Sequence, residues 1–275
     1  MDSMKRLAVA LAVALALAGA ACSTALSTMQ PADTLPQGGW HVGAGMNVDI
    51  PASRIIDAID TAKDLGDRYA DDPNYVPTEE EKQQGYDAAI GLALNQPGVT
   101  TDLMLRYGIA DRFDAGLRWT TTGIHLDGKF QFLAQDIHGW DGAISVGVGR
   151  HAFEGLLFDI LEYLQVDDFS RYDVAVPLIF GKRLQEWGRF WGGLKYDIAF
   201  VSIDAKLQNV DETLQVDDKV HYFGGFAGFG LGYRWVHLFA ELTVMNMWAS
   251  PVILGRERDI GGIIVVPSGG IMGRW

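Results

Sequence analysis

Ten stretches of this chain alternate residue by residue between bulky apolar side chains and small or polar ones. That pattern constrains the fold more than any other feature. In Trp40 to Ile50, one parity reads Trp, Val, Ala, Met, Val, Ile and the other His, Gly, Gly, Asn, Asp. Side chains point to opposite faces only in an extended strand, so each stretch predicts a strand with one apolar face and one small or polar face. The pattern recurs over 99–107, 114–119, 124–132, 144–149, 172–181, 190–200, 220–234 and 236–248, and more weakly over 260–275. Beyond the N-terminal leader no run reaches 18 consecutive apolar residues, so no transmembrane helix is predicted there. The 33 glycines also weigh against a helical bundle, because glycine weakens helix interiors.

The connections alternate in length. The odd ones run to about 47, 2, 21, 16 and 11 residues, whereas the even ones are the short segments 108–112, 134–139 and 182–188 and the corner Arg234-Trp235. Aromatic residues gather near strand ends, among them Trp40, Tyr107, Trp119, Trp140, Phe180, Phe190, Trp235, Trp248 and Trp275. An even number of antiparallel strands can close without an exposed edge, as lipid requires. Long loops on one face, short turns on the other and aromatic girdles together resemble bacterial outer-membrane β-barrels. The segment Tyr107 to Trp119 looks like one of their periplasmic hairpins. The resemblance spans residues 39–275 and is to an architecture; no specific family motif is identified. It implies an all-β, antiparallel up-and-down transmembrane barrel of about ten strands in the cell outer membrane. It also implies contact with outer-membrane lipid and lipopolysaccharide, and assembly machinery reading Trp275. A soluble ten-stranded barrel is the competing expectation, but its apolar face would point inward and its exterior would carry Lys and Glu. Here the polar parity is mostly small.

Lys5-Arg6 followed by the apolar run Leu7 to Ala21 reads as a secretory signal, residues 1–21. Cys22, the only cysteine, follows directly. This resembles a bacterial lipoprotein signal, which implies lipidation at Cys22, with residues 22–38 as a periplasmic tether. Gly19 departs from the usual Leu, and Ala18-Gly19-Ala20 fits ordinary cleavage, which would leave Cys22 a free thiol.

The long connections carry the charge. The chain has a formal net charge of −13, which excludes a basic nucleic-acid-binding face. Residues 52–97 hold ten acids against four bases, and 151–171 and 203–218 each hold five against one. The first of these, a helical extracellular insertion, places Ile55, Ile59 and Ala62 at helical spacing. A capping box at Thr78 to Glu81 opens a second helix carrying Tyr86, Ala89, Ile90, Ala93 and Leu94. Phe153, Leu156, Leu157, Ile160, Leu161 and Leu164 predict a third helix. These helices either cap the outer mouth or lie against lipopolysaccharide. Divalent cations at Asp71-Asp72, Asp167-Asp168 or Asp217-Asp218 are a further expectation, although none shows a calcium-loop spacing.

The inferred lumen holds Asp102, Arg106, Asp114, Arg118, Asp127, Lys129, Lys195, Asp197 and Glu241. Both signs occur at similar strand depth, which predicts cross-strand ion pairs. His125, His151 and His221 lie near outer strand ends, with Asp218 three residues before His221; His41, His138 and His237 fall at the periplasmic end as expected interface residues. No residue is assigned a catalytic role, and neither a cofactor motif nor a metal-ligand set is identified. The expectation is a structural or surface-binding outer-membrane protein. A narrow gated channel for small or lipophilic solutes is the alternative, and a rim-active hydrolase a weaker third.

Overall fold

A computed structural model of the protein describes residues 26–71, 75, 78, 97–151, 164–185, 187–207, 213–233, 235–253 and 256–275. The leader 1–21, Cys22 and the expected helices after Thr78 and Phe153 lie outside the described residues.

Ten antiparallel strands close into a barrel. In chain order they are β1 (Trp40–Asp49), β2 (Gly98–Ala110), β3 (Phe113–Thr120), β4 (Gly123–Leu133), β5 (Asp141–His151), β6 (Leu164–Leu184), β7 (Gly188–Leu207), β8 (Thr213–Tyr233), β9 (Val236–Ala249) and β12 (Ile260–Arg274). Each pairs with its chain neighbour, and β12 closes on β1 through His41↔Arg274 to Asn47↔Ser268. A small hairpin, β10 (Val252–Ile253) with β11 (Arg256–Glu257), occupies the last long connection.

The wall follows the alternation. On β9, Val236, Leu238, Leu242, Val244 and Trp248 are exposed while His237, Glu241, Thr243, Met245 and Met247 are buried. Leu103, Leu117, Leu126, Val146, Val148, Leu194, Phe229 and Ile271 extend the same apolar exterior around the barrel. Rings pair at the short-turn rim: Trp40 with Tyr107 at 4.6 Å, Trp140 with Phe190 at 5.5 Å and Phe132 with Phe180 at 6.0 Å. Such rings suit a headgroup boundary.

Parts of two expected loops are strand. β6, β7 and β8 have 21, 20 and 21 residues, about twice what a bilayer requires. Pairing persists from Leu164↔Leu207 and Lys206↔Thr213 into the wall, so most of 203–218 and the later part of 151–171 form an extension of the sheet. An acidic sequence is compatible with strand wherever a neighbouring strand satisfies the backbone.

Helix α1 (Ala52–Asp71) follows β1. Its first turn docks on β12: the Ile263 N–H donates to Ser53 Oγ at 3.0 Å, and Arg54 donates to the Gly261 carbonyl. Ile56 and Ile59 are more than half exposed. The second helix, α2 (Gln135–His138), is one short turn between β4 and β5.

Residues 26–38 do not extend below the barrel as a tether. They run inside it, from Leu26, packed with Ala249 and Ile260 at the long-loop rim, down to a turn at Gly38 beside Gly108 at the short-turn rim. This segment is a plug.

Candidate functional site

The plug places an apolar residue at every third position, and Leu26, Met29, Ala32 and Leu35 are all nearly inaccessible. Leu26 joins Val201, Val220, Tyr222, Met245, Met247 and Ile264. Met29 and Ala32 join Met104, Ile179, Trp191, Phe226, Phe239 and Met272. The lumen therefore has an apolar side formed largely by β7, β8, β9 and β12 and a charged side formed by β2 to β5. Bulky inward residues such as Phe239 and Met245 depart from the small, polar interior expected from the sequence. They are inaccessible because the plug packs among them. Glycines make the room: a Cβ on Gly45 would approach Met29 Sδ to 2.9 Å, and one on Gly108 would approach the Pro36 carbonyl oxygen to 2.0 Å.

Glu241 is the main polar anchor. Its carboxylate accepts the backbone N–H of Thr28 at 2.6 Å, that of Met29 at 2.9 Å and the Trp191 indole N–H at 2.7 Å. Met29 sits in the left-handed region, with φ of 49°, and its N–H and that of Thr28 both point at this one anion. That conformation costs a non-glycine residue about 1–2 kcal/mol. Charge-assisted hydrogen bonds contribute about 1.5–3 kcal/mol each, so the anchor outweighs the strain.

The charged side holds the rest of the plug. Arg106 forks between Asp114 at 2.6 Å and Asp127 at 2.7 Å. Asp114 then accepts the Leu35 N–H at 3.0 Å. Lys129 Nζ donates to the carbonyls of Pro31 at 3.0 Å and Asp33 at 2.9 Å. Arg118 pairs with Asp102 and donates to the Ser27 carbonyl at 2.7 Å. Lys195 pairs with Asp197 at 2.8 Å and donates to the Leu26 carbonyl at 2.8 Å. All nine lumen candidates thus line the interior, and the structure joins most of them through the plug rather than across an open channel. Sequence reasoning missed Asp33, which accepts from Arg274 at 2.6 Å and lies 3.6 Å from Arg189. It also missed Trp191, Gln131 and Asn47.

Beside the plug lies a small cavity, between Leu26, Ser27, Thr28 and Gln30 on one side and the β3–β7 wall on the other. Three lumen-facing positions of β5, Ser145, Gly147 and Gly149, are small and create it. His125, His151 and Asp173 meet at its edge.

The other histidines are distributed differently. His41 and His237 share the lumen-facing parity and are buried inside, not at the lipid interface as expected, because their neighbours Trp40, Val42, Val236 and Leu238 take the outward parity. His138 is exposed on α2. His221 bonds Tyr196 Oη at 2.7 Å and stacks on Trp248, so its ring is held by aromatic neighbours rather than paired with Asp218.

No protein-family model matches the chain, and no curated protein matches it. Among solved structures it is similar to Neisserial surface protein A at 9% identity, covering 86% of this chain and 94% of that one, with a TM-score of 0.31. It is similar to Ail, the attachment invasion locus protein of Yersinia pestis, at 13% identity, covering 87% and 99%, with a TM-score of 0.30. It is also similar to the outer membrane protein OprG from Pseudomonas aeruginosa at 10% identity, covering 90% and 99%, with a TM-score of 0.37. By its own geometry, a closed ten-stranded wall with an apolar exterior, aromatic pairs at the short-turn rim and buried ion pairs inside, the chain is an outer-membrane β-barrel.

Proposed function

We propose that the protein serves a structural or surface-binding role in the outer membrane, with its lumen closed by its own N-terminal segment. The observation that carries this reading is the anchoring of plug main-chain groups by Glu241, Asp114, Lys129, Arg118 and Lys195. A lumen bonded to its occupant at these depths does not work as a standing pore. The short-turn rim then faces the periplasm, and the extended β6–β8 sheet and α1 face outward as the binding surface. Reconstitution in planar bilayers tests this: the full chain should stay silent, and deletion of residues 26–36 should produce steady current steps. Steady conductance by the full chain would replace this reading with a channel.

A gated conduit is the second reading, favoured by the cavity alongside the plug. A lipid anchor at Cys22 adds to the structural or surface-binding role. Leu26 lies at the long-loop rim, and four residues span at most about 14 Å. An acyl group on Cys22 would therefore anchor on the outer side, since a path to the inner leaflet would have to pass back through a filled lumen. Metabolic palmitate labelling compared with that of Cys22→Ser tests the acyl group, and surface protease accessibility of an epitope inserted after Cys22 tests the side.

A further inference from the structure

We propose that His125, His151 and Asp173 form a binding site for a divalent transition ion of the zinc class at the upper edge of the lumenal cavity. The pairing register brings them together. His125 on β4 is opposite Gly149 on β5, and Gly149 is opposite Asp173 on β6. Gly149 thus separates a histidine and a carboxylate in one cross-strand row, and having no side chain it leaves a gap across which the His125 ring lies. A Cβ there would fall 2.3 Å from His125 Nδ1. His151, two residues along β5, faces the same gap, and its ring meets that of His125 edge to face at 5.1 Å.

One ligand atom from each residue lies within 4.8 Å of the others. Small side-chain rotations convert that triangle into three corners of a tetrahedron with bonds of about 2.0–2.2 Å. His125 Nε2 is buried and makes no hydrogen bond, so one imidazole already presents an unused donor atom. Asp173 Oδ1 is held by Arg171 Nε at 2.9 Å while Oδ2 turns to His151 Nε2. Arg171 is in turn fixed by Tyr222 Oη at 3.2 Å, an outer shell that orients the carboxylate. Two imidazoles and one carboxylate suit zinc, copper or nickel rather than calcium or magnesium, which take all-oxygen shells. Because His125 and Asp173 line the cavity, the fourth position opens onto it, and a water or a small anionic or imidazole-bearing ligand completes the shell there.

The test uses the full barrel in lipid nanodiscs with Zn²⁺ alone, and Co²⁺ as a spectroscopic probe. One ion per barrel should be retained after dialysis, and Co²⁺ should give the visible absorption of a tetrahedral site. H125A/H151A should abolish retention, D173N should weaken binding, and R171Q should weaken it by the roughly 10–100-fold typical of an outer-shell partner. H221A, on the outer wall, should leave it unchanged. If H125A/H151A does not assemble, H125Q and H151Q, which keep size and hydrogen bonding, take its place. Retention by these variants equal to that of the unaltered chain, or no retention by the unaltered chain, would overturn the site.

Discussion

Met29 donates its backbone N–H to both carboxylate oxygens of Glu241, at 3.0 and 2.9 Å, from a left-handed conformation buried in the centre of the barrel. The bond links the N-terminal segment to a strand more than 200 residues later, so plug and wall are expected to fold as one unit. Glu241→Ala leaves the Thr28, Met29 and Trp191 donors without their acceptor, and a buried unpaired donor costs about 1–3 kcal/mol. Amide hydrogen exchange at Thr28 and Met29 should accelerate by several orders of magnitude in E241A. It should change less in E241Q, which keeps one acceptor oxygen. Unchanged protection in E241A would show that apolar packing alone retains the plug.

Gly108 and Gly45 distinguish a backbone clash from a soft one. At Gly108 a Cβ would collide with the Pro36 carbonyl oxygen at 2.0 Å and disturb the paired bonds to Gly38 and Gly39, both 2.9 Å. At Gly45 the nearest atom is the flexible end of Met29. Overpacking typically costs about 1–3 kcal/mol. Gly108→Ala should therefore lie at or beyond the upper end of that range and Gly45→Ala at or below the lower end. Urea unfolding in phospholipid vesicles measures both, and equal losses would contradict a plug exit fixed at Gly108.

The barrel was legible in the sequence because lipid imposes period two on every strand it touches, as in Leu238, Leu242 and Val244 against Glu241 and Thr243. The plug was not legible. Leu26, Met29, Ala32 and Leu35 recur every third position, which matches neither strand nor helix, so the segment reads as coil. Two signals pointed to it indirectly. β9 carries bulky apolar residues on both parities, with Phe239, Met245 and Met247 facing in, and Arg189 and Arg274 of the wall find their ion-pair partner in Asp33 of the plug. Charge misled in the opposite direction: the acids of 203–218 suggested a loop, although strand pairing continues through most of it. The histidine cluster depends on register across β4, β5 and β6, which no single stretch displays.

Arg106 tests whether the charged side of the lumen is a network or a set of separate pairs. It serves Asp114 and Asp127 together, and removing one partner of a buried ion pair costs about 3–5 kcal/mol. Arg106→Met should destabilise the barrel by about that much and also loosen Leu35, whose N–H is held by Asp114. Adding D114N and D127N removes the stranded charges and should restore most of the loss. Chemical unfolding of the single and triple variants decides the matter: a triple variant worse than R106M would mean that the carboxylates hold the plug independently of Arg106.

The membrane reading is tested on the outer wall. Leu242 is 49% exposed at the middle of β9, between Ala227 of β8 and Pro267 of β12, on the outward face of the wall. An arginine at the midplane of a transmembrane barrel costs about 2–4 kcal/mol. Ile59, 52% exposed on α1 beyond the wall, offers the same apolar-to-charged change in water, where surface substitutions stay within about 0.5 kcal/mol. Unfolding of Leu242→Arg and Ile59→Arg in phospholipid vesicles should separate them by at least 1.5 kcal/mol, the upper-bound surface effect set against the lower-bound membrane cost. Two equally exposed residues that respond equally would mean that water, not hydrocarbon, surrounds the barrel.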